Sequence, residues 1–494
     1  MPALISGVRR LPKGGELSSN RVVESQAVLT LALVGRIVLF VAVTSVLGRT
    51  LAPADFGFVA LIATCYTVAL EFLDMGTGAV ATRRIAADRA AERTTLSELL
   101  ALRRLLATVL LAAMLAVALS GYFPRHDQRW ALAAAAFGIF LLHLTTYQVV
   151  FQVRQAYRQA VLVGLAAQLG FALASVVAIR LRASGATIAL LMVAFQALQV
   201  IGIRWVGGRL LGYRVRAGWL HPGTLPLLKA GWLLGLAGVS YKLATYAGGY
   251  FLWEMKGPEA FASFNAAQRL LVPLTEMAWL FVTPLIASMS VAVAIGSTSF
   301  RAQLDAFAKF LLGISALVAV AAYFVGPYFM HLLYGDHYSS GPWSSVGVLR
   351  WLGFGCLFAL VTPVMAVGEL AHGRNGALLF TGLAALAVNL AGNSWAVPTY
   401  GAEGAAAVLC ATEALVFAVL LARCLARGEL GIGTAWIGYL LPAALLAAVM
   451  TMLANSPLLQ FVVACAWGPA ALLLIVQLPA QKACRASLAE DATG

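Results

Sequence analysis

The feature that most constrains this chain is the recurrence of apolar blocks about 20 residues long, the length at which a helix crosses the hydrocarbon core of a bilayer. Fourteen such spans are predicted, the first six near 26–47, 57–77, 105–123, 130–152, 159–179 and 186–206. The other eight fall near 231–252, 270–294, 308–333, 345–368, 377–397, 402–422, 434–454 and 457–479. Backbone groups in lipid must bond within the protein, so only helices or closed barrels can span. Barrel strands alternate apolar and polar residues over about 10 positions, whereas these blocks are apolar all round. Composition agrees: 61% of the 494 residues are hydrophobic and 11% are charged, against about 25% charged in soluble domains. The expected fold class is therefore an all-α integral membrane protein with about 14 transmembrane helices. The stretch from Gln26 to Leu47 is too long for the apolar region of a cleaved signal peptide and reads as the first span.

Charge sets an expected orientation. With the N terminus inside, the inner segments hold 24 Lys and Arg, including Arg9, Arg10, Lys13, Arg83, Arg84, Arg209 and Arg427, and the outer segments hold 8. Cytoplasmic loops carry this excess, so both termini are expected in the cytoplasm. The same bias accounts for the net charge of +14 without a nucleic-acid partner. The inner loop 78–104 is rich in helix formers and is expected to form an amphipathic helix near the headgroups. Six scattered cysteines form neither a CxxC pair nor a Cys/His cluster, so no disulfide framework or metal site is indicated.

The two halves match at an offset of 205 residues: Pro53, Phe56 and Glu71 fall on Pro258, Phe261 and Glu276. Spans 1 and 7 both start inside, so the repeat is parallel, a plan found in transporters built of two halves. The expected organisation is a cytoplasmic N-terminal segment, 1–25, and a six-helix bundle, 26–206. A cytoplasmic linker, 207–230, joins it to a second six-helix bundle, 231–425, related to the first by pseudo-symmetry. Two extra helices, 434–479, and a cytoplasmic tail, 480–494, follow.

Ionisable residues inside a membrane cost about 2.5–3.5 kcal/mol each on insertion scales and tend to face a cavity or a partner. Arg36 lies mid-span 1, and Lys242 in span 7 is one residue beyond its repeat equivalent. Glu71 and Asp74 lie in span 2, Glu276 in span 8 and Glu413 in span 12. One expectation is a central cavity with Arg36 and Lys242 presenting positive charge from both sides to an anionic headgroup such as a pyrophosphate. The alternative is pairing of these charges with one another, Arg36 with Glu71 for example. Gln148, Gln152, Tyr241 and Tyr246 add amides and aromatic faces suited to sugar; helix–helix contacts use the same groups. Glu71, Asp74, Glu276 and Glu413 are the candidate coupling residues. No Walker A, HExxH or GxSxG sequence occurs, and the outer-loop groups Arg125–His126–Asp127 and Asp336–His337 make no persuasive acid/base pair. The chain is therefore not expected to be an enzyme.

The loop LGRTLAPADFGFVAL followed by EFLDMGTGAVATRRIA resembles the first helix pair of the bacterial polysaccharide-biosynthesis flippases of the Wzx type. KGPEAFASFNAAQRLLVPL, FQVRQAYRQA, LYGDHYSSG and VNLAGNSWAVPTYGAEGAAAV are similar to further stretches of that family, over about residues 20–430. The family belongs to the multidrug/oligosaccharidyl-lipid/polysaccharide exporter (MOP) superfamily. The resemblance implies a V-shaped pair of bundles working by alternating access in the bacterial inner membrane. It implies transfer of undecaprenyl-pyrophosphate-linked oligosaccharide, such as O-antigen or exopolysaccharide repeat units, from the inner to the outer leaflet. No cofactor is implied; coupling would draw on a proton or sodium gradient or on the membrane potential. Membrane lipids, a polysaccharide polymerase and a chain-length regulator are the expected partners. The alternatives are a cation-coupled multidrug exporter, expected to carry acidic groups in a cavity without basic ones, and a lipid II flippase. From another class comes a membrane glycosyltransferase or ligase.

Overall fold

A computed structural model describes residues 19–477, except 155, 216, 217, 219, 220, 283–285, 287, 288, 291, 292, 294–298, 342, 343, 432, 434, 454 and 455; side chains are described from residue 35 onward. Of the expected N-terminal segment 1–25, residues 1–18 lie outside the described residues and 19–25 belong to the first helix; the expected tail 480–494 also lies outside them. Every regular element among the described residues is helical. Among the described residues eight helices are long and apolar enough to cross a membrane, and the all-helical membrane fold is as expected.

The first half contains α1 (Ser19–Thr50), α2 (Pro53–Asp74), α3 (Thr77–Ala87), α4 (Glu92–Leu119), α5 (His126–Leu141), α6 (Gln148–Val153), α7 (Tyr157–Arg180) and α8 (Gly185–Leu211). The second contains α9 (Thr224–Lys256), α10 (Pro258–Val282), α11 (Ser299–Phe324), α12 (Gly326–Tyr334), α13 (Asp336–Ser339), α14 (Val346–Ala359), α15 (Thr362–Ala371) and α16 (Asn375–Ala426). Two further helices, α17 (Ala435–Met452) and α18 (Pro457–Gln477), pack on α11 and each other.

The 205-residue repeat has a direct structural meaning. Pro53 and Pro258 each open a helix, α2 and α10, where a missing N–H costs nothing and φ is already helical. Phe56 and Phe261, one turn in, are both buried. The helices α2 and α10 pack against each other across the two halves, and Gly57 leaves room for the Pro258 carbonyl.

Two expectations change. The segment 92–103 is not a helix on the membrane surface: it is the first part of α4, continuous with the third span, and Leu96, Glu98, Leu99, Leu102 and Arg103 are buried. Its charges are tolerated inside because they are paired, Glu98 with Arg84 at 2.7 Å and Arg103 with Asp74. Spans 11 and 12 are two helices, as expected, meeting at a kink within α16 where Gly401 takes the non-helical φ 57° and ψ −134°. The expected linker 207–230 is shorter, since α8 continues to Leu211 and α9 begins at Thr224.

Candidate substrate chamber

Helices α9, α10, α14, α15 and α16 enclose a cavity of about 440 Å³, closed on one side by the end of α2 and the start of α3. Its size is that of a small-molecule site, about 300–1,000 Å³. Each wall is a helical stripe. Along α9 the lining residues are Leu234, Ala237, Gly238, Tyr241, Lys242, Thr245 and Tyr246, and along α10 they are Gln268, Leu271, Val272, Thr275, Glu276 and Trp279. These spacings of three and four place the residues on one face of each helix.

Two polar pairs span the chamber. Lys242 Nζ donates to Glu276 Oε1 at 2.8 Å, with 54% of the glutamate side chain still exposed. Tyr241 donates its hydroxyl to both oxygens of Glu413, at 2.8 and 2.9 Å, and Glu413 is 6% exposed. Glu71 lies across the α9 backbone, in space left by Gly238; a Cβ there would meet its carboxylate. Asp74 lines the chamber but is held from behind by Arg103, a buried residue that also donates to Thr145 Oγ1 at 3.3 Å. Gln268 Nε2 donates to the Thr245 carbonyl at 3.2 Å and ties α10 to α9.

The structure thus gathers Glu71, Asp74, Tyr241, Lys242, Tyr246, Glu276 and Glu413 around one cavity. It does not bring Arg36 there. Arg36 accepts from Gln168 Nε2 at its carbonyl, 3.0 Å, and its guanidinium lies beside Gly164 and Gln199. Gln148 and Gln152 are also away from the chamber; both are exposed, and Gln152 accepts from Thr82 at 3.0 Å. The expected arrangement, two cations facing each other across the axis, is replaced by one lysine among four carboxylates. Register alone does not account for this, since Tyr241, the repeat equivalent of Arg36, lines the chamber as well. Packing does: α1 packs on α7.

Gln268, Thr245, Trp279 and Arg103 were not singled out in the sequence. The first three were within reach. Gln268, Val272 and Glu276 follow at steps of four, and Trp279 three further on, so the face of Glu276 leads to them. Arg103 had no such signal, because its partner is on another helix. The same holds for a polar cluster at the end of α15, where buried Glu369 accepts from Arg423 at 2.9 Å and Arg427 at 2.6 Å. Arg374 there donates to Glu429 at 3.0 Å. On the side expected to face outward, Arg125 is bonded to Asp127 and Asp55, and His331 lies 3.1 Å from Asp336; all are partly or largely exposed.

The profile of the polysaccharide biosynthesis protein family matches residues 23–290, more than half of the sequence. The chain belongs to this family. Comparison with curated proteins finds no significant match. Among solved structures, this polysaccharide biosynthesis protein is similar to the lipid II flippase MurJ in an inward closed conformation. The TM-score is 0.69 at 12% identity, over 90% of this chain and 97% of that one. An inward-facing multidrug resistance MATE transporter of the MOP superfamily matches at TM-score 0.61 and 14% identity, over 80% and 95% of the two chains. A MATE protein in complex with MaL6 matches at 0.56 and 13%, over 82% and 97%. At these identities the likeness is one of fold: the polysaccharide biosynthesis protein has the architecture of MOP-superfamily transporters.

Proposed function

We propose that the protein is a flippase that carries lipid-linked oligosaccharide, built on undecaprenyl pyrophosphate, from the inner to the outer leaflet of a bacterial inner membrane by alternating access. Membership of the polysaccharide biosynthesis family carries this reading. The chamber supports it, since a polar pocket walled by long apolar helices is where a polar head could cross while its lipid tail stays in the bilayer. Loop charge supports cytoplasmic termini. Glu71, Glu276 and Glu413 are the carboxylates through which an ion gradient would be coupled; Asp74, held by Arg103, is less available. A polymerase and a chain-length regulator are proposed to act on the delivered product.

Lys242→Ala leaves Glu276 without its cation in the chamber. Cells carrying that variant as sole copy are expected to lose surface polysaccharide while immunoblots find normal amounts of protein in the membrane. Normal polymer from these cells would overturn the role of the chamber.

A second reading is favoured by one observation: four carboxylates outnumber the single lysine among the lining residues. That balance suits export of organic cations. Reconstituted vesicles separate the two readings. Transfer of lipid-linked sugar without uptake of a lipophilic cation dye supports the flippase, and the reverse result supports the exporter.

A further inference from the structure

We infer that Glu413 carries the coupling proton: its carboxyl is neutral and bonded to Tyr241 in this conformation, and it exchanges its proton with water each time the chamber opens. This rests on the flippase reading and names the ion that drives transfer and the residue that takes that ion up.

Glu413 differs from the other carboxylates of the chamber in its surroundings. Asp74 is paired with Arg103 and Glu276 with Lys242, so each has a cation that keeps it ionised. Glu71 is half-buried and lies within electrostatic range of Lys242. Glu413 is 6% exposed and makes no ion pair among the described residues. Its titratable neighbours are Tyr241 of α9, Cys356 of α14 and, one turn back on α16, Cys410. Helix α10 contributes Glu276, already held by Lys242, and α15 lines the chamber with Thr362, Ala366 and Leu370 only. A carboxylate buried without a cation is far costlier than its neutral acid, so the acid is the form that persists there.

The hydrogen bonds agree. Both carboxyl oxygens approach one hydroxyl, at 2.8 and 2.9 Å from the Tyr241 oxygen. A tyrosine has one proton to give and cannot serve two oxygens fully. A protonated carboxyl brings a second proton, so that one of the two contacts runs the other way. One carboxyl oxygen then accepts from Tyr241 while the other donates to it, and both distances are full hydrogen bonds.

The position of the pair suits coupling. Glu413 lines the chamber, so water reaches it when either end opens and its proton can leave. Once ionised it opposes closure, because closing would bury a charge without a partner. Two things lift that obstacle: a proton from water, or a sugar head whose hydroxyl or amide donors bond the carboxylate. The outside supplies the first and the inner leaflet the second. Each cycle then moves one proton from outer water to the Glu413 carboxyl and on to cytoplasmic water, as one lipid-linked sugar moves outward. Sodium suits this place less, since a hard cation takes several oxygen ligands and two of the neighbours here are thiols.

Infrared spectra of the purified full-length protein at neutral pH are expected to contain the carbonyl band of a protonated carboxylic acid that Glu413→Gln removes. The same band in both proteins, or in neither, would overturn the inference. Proteoliposomes test the coupling, without sodium and with the side facing the cytoplasmic ends made more alkaline. A fluorescent polyprenyl-diphosphate tetrasaccharide is expected to accumulate on the acidic side by about tenfold per pH unit, the bias that one proton per lipid gives. Glu413→Gln is expected to abolish that dependence. Transfer that ignores the pH gradient, transfer that follows a sodium gradient instead, or an undiminished pH dependence in Glu413→Gln sinks the proposal. Should Glu413→Gln fail to fold, Glu413→Asp takes its place in the infrared comparison, where the band must shift, and the wild-type response to the two gradients decides the ion. No lipid transfer under any gradient counts against the flippase reading, and the infrared comparison then decides alone whether Glu413 holds a proton.

Discussion

Glu369 shows what a single buried charge does in this protein. It is 1% exposed and accepts from Arg423 and Arg427 on the last turns of α16, with Arg374 4.0 Å away. The arginines are about one-third exposed, so water satisfies part of their demand; the glutamate relies on them entirely. Replacing one member of a buried pair costs about 3–5 kcal/mol, and partial exposure of the arginines places Glu369→Ala near the lower end, about 3 kcal/mol. Thermal unfolding of the purified variant should show that loss, while Arg374→Ala, which removes a more distant, one-third-exposed partner, should cost much less. The chamber charges work differently. Lys242 and Glu276 neutralise each other but stay partly open to the cavity, so their pairing organises a polar surface as well as supporting the fold.

At the scale of elements, the junction of α2 with α3 is the most demanding piece of local geometry. Met75 and Gly76 take left-handed conformations in succession, with φ of 42° and 69°, and the turn presses against the backbone of α9 at Gly231 and Gly235. Small residues on both sides permit that approach, as at other membrane helix contacts. A side chain at Gly76 would meet the Gly231 carbonyl and the Gly235 amide at once. Gly76→Val is expected to lower stability by about 2 kcal/mol or more from backbone strain alone, measured as a lower melting temperature, and to displace the neighbouring Asp74 from its place in the chamber wall. The α3 helix that follows gives a test of orientation. Arg83 is exposed on it; a cysteine introduced by Arg83→Cys should react with an impermeant thiol reagent in inside-out vesicles and not in intact cells. Labelling from outside would reverse the topology.

Over the whole molecule, the halves touch at both ends of the chamber. At the end that the loop charges place outside, Arg49 of α1 donates to the carbonyls of Leu333, at 2.9 Å, and Leu332 at the end of α12, and Tyr122 donates to Glu254 at the end of α9. Phe56 packs against Tyr334 and Tyr338 just beneath, with ring centroids 6.2 and 5.8 Å apart. These contacts must break for the outer side to open. Arg49→Ala combined with Tyr122→Phe should therefore raise the population open to the outside. Cys410 is a built-in reporter, since it lines the chamber and is 9% exposed. In a background with the other cysteines replaced by serine, its modification from outside should become several-fold faster; an unchanged rate would show that these contacts do not hold the outer side shut.

Length and periodicity of the apolar blocks determined that this chain is a bundle of membrane helices, because lipid offers backbone groups no other partner. The paired Pro53/Pro258 and Glu71/Glu276 were legible as a repeat for a related reason: a proline that starts a helix and a carboxylate in a membrane, which is costly, are together too specific to recur by chance at one spacing. The stripe around Glu276 could also be read, since it follows from helical period alone. Whether a polar residue faced the chamber, a neighbouring helix or water was a different matter. Lys242 and Arg36 look equivalent in the sequence, yet one lines the cavity and the other lies on α7, because rotation about a helix axis and the choice of packing partner come from contacts hundreds of residues apart. The same is true of Arg103 behind Asp74 and of the arginines around Glu369. Their partners are spatial, and only the packed molecule turned a chain rich in basic residues into a chamber whose charged lining residues are mostly acidic.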